Sequence, residues 1–134
     1  MSYRFFLLFL LSMMPLGVGA EKNGIGVVTI YYGFKELHEH CARNHHGSLP
    51  NIDPQFESWI KKHVIRLEKS FLAIKKEADD DPKKAEMLSN LDRDMNRLWG
   101  AEWRGNEKTP MYCFSKAAAT ELFDEELRRI DNNE

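Results

Sequence analysis

Residues 54–78 read PQFESWIKKHVIRLEKSFLAIKKEA, and this stretch decides the fold. Its apolar side chains recur at steps of three and four residues, which is the period of one face of an α-helix. That stripe consists of Ile60, Val64, Leu67, Phe71, Ile74 and Ala78. The stretch therefore predicts a long amphipathic helix whose apolar face packs against the rest of the protein.

Three prolines follow residues that can cap a helix, in the pairs Asp53-Pro54, Asp81-Pro82 and Thr109-Pro110. An Asp or Thr side chain accepts amide hydrogen bonds of the first turn, and proline fits the first helical position. Apolar residues at helical spacing follow each pair, and Gly100 is placed to end the second of these helices. The pattern predicts helices at 54–78, 82–99 and 110–130, with a loop at 101–108.

The segment 26–44 is more ambiguous than the others. Val27, Ile30, Phe34, Leu37 and Cys41 follow the helical period, but residues 27–32 read VVTIYY and are rich in strand formers. Because no other segment offers a strand partner, we interpret 26–44 as a fourth helix, with strand at 26–32 as the alternative.

Four helices with short connections predict an all-α, single-domain antiparallel bundle of up-down-up-down topology. In that topology the end of the first helix and the start of the fourth lie together. Cys41 and Cys113, the two cysteines of the chain, occupy those positions. We therefore expect one disulfide that joins the first and fourth helices.

The first twenty residues have the pattern of a signal peptide. Arg4 precedes an apolar run at 5–14, and Val18 and Ala20 are the small residues that a signal peptidase reads. Cleavage after Ala20 would leave a helical domain of residues 21–134, exported to the periplasm or the extracellular space and not inserted in the membrane. The lack of any Asn-x-Ser/Thr sequon favours a bacterial envelope.

Charge and motifs exclude several function classes. The 19 basic and 21 acidic residues are interspersed, which argues against a nucleic-acid partner. No Gly-x-Ser-x-Gly elbow, Cys-x-x-Cys-His haem site or Glu-x-x-His di-iron motif occurs. We expect neither an enzyme nor a bound cofactor.

A cluster of histidines offers an alternative function, because imidazoles at close spacing can bind zinc or copper. Its members are His38, His40, His45 and His46, with Cys41 among them. A disulfide would remove Cys41 as a ligand, so we expect solvated histidines and no metal. A metal-binding protein remains the alternative.

The predicted bundle brings the three tryptophans to the end that holds the disulfide. Trp59 lies on the apolar stripe and should be core, Trp99 is ambiguous, and Trp103 falls in the predicted loop and should be exposed. We expect a binding surface of Trp103, Trp99, His45 and His46, because tryptophan is enriched in binding hot spots. The predicted function is that of an exported protein-binding module, such as an immunity, inhibitor or adaptor protein, whose partner is another envelope or secreted protein. A structural homodimer through the aromatic end is a further alternative.

Overall fold

The computed structural model describes residues 24–133, and every regular element in that range is helical. The predicted signal peptide of residues 1–20 lies outside the described residues. The elements are helices α1 (Gly24–Asn44), α2 (Leu49–Asp80), α3 (Pro82–Gly105), α4 (Thr109–Phe114) and α5 (Ala118–Asn132), with a 3₁₀ turn at His46–Ser48. The all-α prediction is confirmed, and residues 26–32 form helix rather than strand.

Helix α2 begins at Leu49, five residues before the predicted start at Pro54. Pro50 occupies the first turn, and Pro54 is accommodated inside the helix. Asp53 does not cap, because its carboxylate lies 2.5 Å from Nε2 of His38 on α1. The predicted boundary was wrong because Asp53 has a tertiary partner that the local sequence does not reveal.

Helix α3 starts as predicted and ends later. The carboxylate of Asp81 accepts a hydrogen bond from the Lys83 amide at 2.9 Å, which confirms it as the N-cap. Gly100 does not end the helix, since α3 continues through the predicted loop to Gly105. Gly100 is buried within the helix, and no glycine in residues 24–133 has a positive φ.

The predicted helix at 110–130 is two helices, α4 and α5, separated at 115–117. The Ser115 hydroxyl accepts hydrogen bonds from the amides of Ala117 at 3.3 Å and Ala118 at 3.1 Å, and so starts α5. Thr109 is not the N-cap of α4. Its hydroxyl donates instead to the Trp103 carbonyl at 2.7 Å, which holds α4 against the end of α3.

Helix α1 lies at the centre of the core. The ring of Phe34 stacks on Phe123 of α5 with centroids 4.5 Å apart, and it also contacts Phe56 and Trp59 of α2. The predicted α1 stripe is buried, and so are several residues on other faces of the helix. A helix that is covered on most sides needs apolar and small residues all round. This explains why 27–32 resembles a buried strand in composition.

Helix α2 is less covered than its sequence predicts. Leu67 and Ile74 of the predicted stripe are buried, but Val64 is 40% exposed. Ile65 and Leu72 are 67% and 65% exposed on the outer side. This leaves apolar surface on a helix that is otherwise charged outside. Among residues 24–133, no helix combines the length and apolarity needed to cross a membrane.

Glu36 on α1 is a buried carboxyl group, with only 4% of its surface exposed. Burial raises its pKa from 4.5 to about 7, and a hydrogen bond with Glu39 and the charge of that neighbour add to the increase. Between these two pKa values the folded protein keeps a proton that the unfolded chain has lost. The contribution of Glu36 to the free energy of unfolding therefore falls as the pH rises through this window, and it levels off above about pH 7.

Replacing Glu36 with glutamine is expected to remove this pH dependence, because glutamine has the same shape and does not titrate. The variant should be more stable than the wild type by about 1–2 kcal/mol at pH 8, with a much smaller difference near pH 4.5. Urea unfolding at a series of pH values measures the effect. Glu57→Gln at an exposed position of α2 is the control, and parallel wild-type and Glu36→Gln curves would contradict the assignment.

Candidate functional site

The two tryptophans proposed for the binding surface are buried, each with 1% of its surface exposed. The expected exposure of Trp103 is therefore wrong. Because α3 continues as a helix, Trp99 and Trp103 are four residues apart on one face, and their rings stack with centroids 5.4 Å apart. Both contact α1, where the indole N–H of Trp99 donates to the Thr29 carbonyl at 2.9 Å and that of Trp103 donates to the Gly33 carbonyl at 3.0 Å.

Gly33 makes this close approach possible. A Cβ atom at position 33 would lie 2.8 Å from Cζ2 of the Trp99 ring, a distance that no side chain tolerates without displacement. The tryptophans are therefore core residues that join α3 to α1. Trp59 is also fully buried, as predicted. A homodimer formed through exposed tryptophans loses its basis.

The disulfide between Cys41 of α1 and Cys113 of α4 is present, which confirms the predicted pairing. Both cysteines have 0% exposure, and their Cα atoms lie 5.6 Å apart. The bond therefore fixes the short helix α4 to the end of α1 from inside the core.

The histidines of the 38–46 segment do not converge on one point. His38 pairs with Asp53, whereas the His40 ring faces Asn44 at 3.3 Å and lies 6.0 Å from the His45 ring centroid. His46 is exposed. In the described part of the chain, no group of three or more His, Cys, Asp or Glu side chains is placed to hold a metal ion.

Two exposed apolar residues lie at the disulfide end, and sequence reasoning missed them as surface residues. Met111 is 50% exposed and Phe114 is 48% exposed, three residues apart on α4. The His45 ring contacts Phe114 edge-on with centroids 5.7 Å apart, and His46 follows in the chain. We define His45, His46, Met111 and Phe114 as the disulfide-end surface. It retains two of the four predicted binding residues.

The backbone beneath this surface is held rigidly. The Asn51 side-chain amide donates to the Phe114 carbonyl at 2.9 Å, and the Gln55 amide donates to the Ser115 carbonyl at 2.7 Å. Gln55 also accepts from the Thr120 amide at 3.1 Å, so one side chain of α2 ties both sides of the α4–α5 break. With Cys113 in the disulfide, Phe114 is presented from a fixed backbone position.

Cationic side chains lie near the histidines of the disulfide end, and one of them, Arg43, pairs with Glu39 at 3.8 Å. The pKa of His40 is lowered by burial and by the positive charges of His45, Arg43 and Arg104. Arg43, Arg104 and Lys116 are all exposed. An apolar pair of side chains flanked by cations can bind a partner that presents an apolar pocket with acidic groups around it.

A second polar cluster lies between α2 and α5, around a cleft of about 150 Å³. His63 and Lys62 each approach Asp124 at 2.9 Å, and Arg66 pairs with Asp131. Partial burial opposes ionisation of Asp124, but hydrogen bonds from His63 and Lys62 hold its pKa below the ordinary value. Both carboxylates of α5, Asp124 and Asp131, are paired with basic side chains of α2 here, so we assign the cluster to the docking of α5. Comparison of the chain with protein-family models, with curated proteins and with solved structures finds no match.

Proposed function

We propose that this chain is an exported, non-enzymatic protein that acts by binding another envelope or secreted protein, as an immunity, inhibitor or adaptor protein does. The binding site in this proposal is the disulfide-end surface. The main support for this proposal is the exposure of two apolar side chains on a fixed backbone. Phe114 and Met111 are about half exposed, although the backbone beneath them is fixed by hydrogen bonds and the disulfide. Because the backbone beneath them is already fixed, binding through these side chains costs little backbone entropy, which favours affinity.

We also propose that the helices run up and down in an antiparallel bundle. Contacts between α1 and α2 support it, because Gly24 lies near Ser70 whereas His38 lies at Asp53. The residue numbers of one helix rise as those of the other fall. Between α2 and α5 the residue numbers of the contacting pairs rise together, from His63 with Asp124 to Arg66 with Asp131. Such parallel pairs are expected of alternate helices in this topology.

The chemistry of the surface limits the partner. The exposed Phe114 ring fits an apolar pocket, and Met111 can adapt to an irregular contact beside it. Arg43, Arg104 and Lys116 favour carboxylates at the rim of that pocket. Rim charges of this kind raise the association rate more than they tighten the complex, and their effect weakens with salt.

Photo-crosslinking in the producing cell tests the proposal. A photoreactive p-benzoylphenylalanine at position 114 is expected to give a covalent adduct with one envelope or secreted protein, identified by mass spectrometry. The same residue at position 58, an exposed site on α2, is the control and should not give that adduct. In the same preparation, intact mass should show a mature chain that begins at Glu21.

Affinity for the identified partner provides the quantitative test. Phe114→Ala should weaken binding at least about 10-fold, since hot-spot residues lose more than about 1 kcal/mol on truncation. Its thermal stability should stay close to that of the wild type, because the ring is half exposed. Unchanged affinity in Phe114→Ala, or equal crosslinking from positions 114 and 58, would contradict the assignment.

A further inference from the structure

The outer face of α2 carries a second apolar surface, distant in sequence from the disulfide-end surface. Ile65 and Leu72 are two of the most exposed large apolar residues among residues 24–133, at 67% and 65%. Beside them lies a groove of about 460 Å³ whose lining includes Val64, Phe71 and Leu72 of α2 and Tyr31 of α1. Exposed branched apolar side chains next to a groove are typical of a protein contact surface.

This face has a symmetric order of residues. The stretch from 65 to 72 reads IRLEKSFL, with Glu68 and Lys69 at its middle and the exposed Ile65 and Leu72 each three residues away. At 100° per residue, these four side chains fall within an arc of about 100° on the helix surface. The apolar and charged positions are therefore arranged equally about the midpoint of Glu68 and Lys69.

The two central charges are available for a partner. Glu68 and Lys69 are exposed, and neither forms an ion pair or side-chain hydrogen bond within the part of the chain that the structure describes. By contrast, the neighbouring Lys62 and Arg66 are engaged with Asp124 and Asp131 of α5. Charge complementarity therefore favours an occupant that supplies a cation opposite Glu68 and an anion opposite Lys69.

We propose that the occupant is a second copy of this chain, packed antiparallel along α2 about a two-fold axis at the midpoint of Glu68 and Lys69. This axis places Ile65 against Leu72 of the second copy, and Glu68 against Lys69 of the second copy, each contact occurring twice. An isologous dimer requires such a self-complementary patch. A different protein would have no need of the symmetric order.

The rest of the face sets the strength of the dimer. The same axis brings Lys61 opposite Lys76 of the second copy at both edges, where solvent screens the repulsion. The contact spans only a few turns of helix and should bury less area than the roughly 1,200 Å² of a standard interface. The dimer is therefore weak and forms reversibly as the concentration rises.

Sedimentation equilibrium from micromolar to millimolar concentration tests the inference. The wild type should shift from monomer to dimer, and Ile65→Asp should stay monomeric, with circular dichroism used to check that it folds. Glu68→Lys and Lys69→Glu should each weaken the dimer at least about 10-fold, because each places like charges opposite one another. The double variant E68K/K69E restores opposite charges and should recover affinity to within about 3-fold of the wild type.

Two further variants sharpen the test. Lys76→Glu replaces the repulsion from Lys61 by attraction and should tighten the dimer, whereas Phe114→Asp at the other surface should leave it unchanged. A wild type that stays monomeric throughout would overturn the inference. So would a dimer that Ile65→Asp leaves intact, or a double charge swap that is no better than the single ones. None of these outcomes would affect the proposal for the disulfide-end surface, since the two surfaces share no residue.

Discussion

Replacing Trp103 with alanine is expected to lower the free energy of unfolding by about 3–5 kcal/mol, the usual range for truncation of a buried large aromatic side chain. The indole is 1% exposed, stacks on Trp99, and meets Tyr112 and Phe123 edge-on. Truncation leaves a cavity where α1, α3, α4 and α5 meet. It also leaves the carbonyl of Gly33 without the indole N–H that donates to it.

Chemical denaturation of matched variants measures this effect. Phe114→Ala is the control, because it removes an aromatic ring of the same end that is 48% exposed, and it should cost less than about 1 kcal/mol. The ratio of the two losses is the decisive quantity. Equal losses would mean that the burial of Trp103, or the exposure of Phe114, is wrongly assigned.

The error over Trp103 shows where sequence patterns stop being informative. Gly100, Gly105 and Asn106 are all residues that favour helix ends, so a loop at 101–108 was the locally favoured interpretation. Burial of Trp99 and Trp103 against α1 stabilises a continued helix by more than the glycine at position 100 costs, which is about 1 kcal/mol. The local signal is therefore overridden by a contact 70 residues away in sequence.

The disulfide and the buried stripe of α1 could be predicted, because helical spacing and cysteine position depend on regular geometry. The disulfide-end surface could not. Phe114 fits the apolar period of a continuous helix at 110–130, and that period predicts burial. In the structure, α4 ends at Phe114 and α5 begins at Ala118. The Gln55 side chain forms hydrogen bonds with Ser115 and Thr120, on both sides of the break. Ser115, three residues before Ala118, is the local sequence signal for the start of α5, although it is a weak one.

Replacing Cys113 with serine is expected to lower the free energy of unfolding by about 4 kcal/mol. The disulfide closes a loop of 72 residues, and a crosslink of that span removes about this much conformational free energy from the unfolded chain. Because both sulfurs are fully buried, the variant also leaves a serine hydroxyl and a free thiol in the core. The total free energy of unfolding of a domain is of the order of 5–15 kcal/mol, so this loss is a large fraction of it.

Comparison with the reduced wild type separates these two contributions. Reduction removes the crosslink but keeps both cysteine side chains, so it should reproduce most of the loss seen in Cys113→Ser and in the double variant Cys41→Ser/Cys113→Ser. The denaturant dependence of the unfolding free energy should rise in all three, because the unfolded chain exposes more surface when its constraint is removed. Reductant added to the folded protein should act only as fast as the protein opens, since neither sulfur is accessible. Rapid reduction in the folded state, or a Cys113→Ser variant as stable as the wild type, would show that the Cys41–Cys113 bond does not constrain the chain in solution.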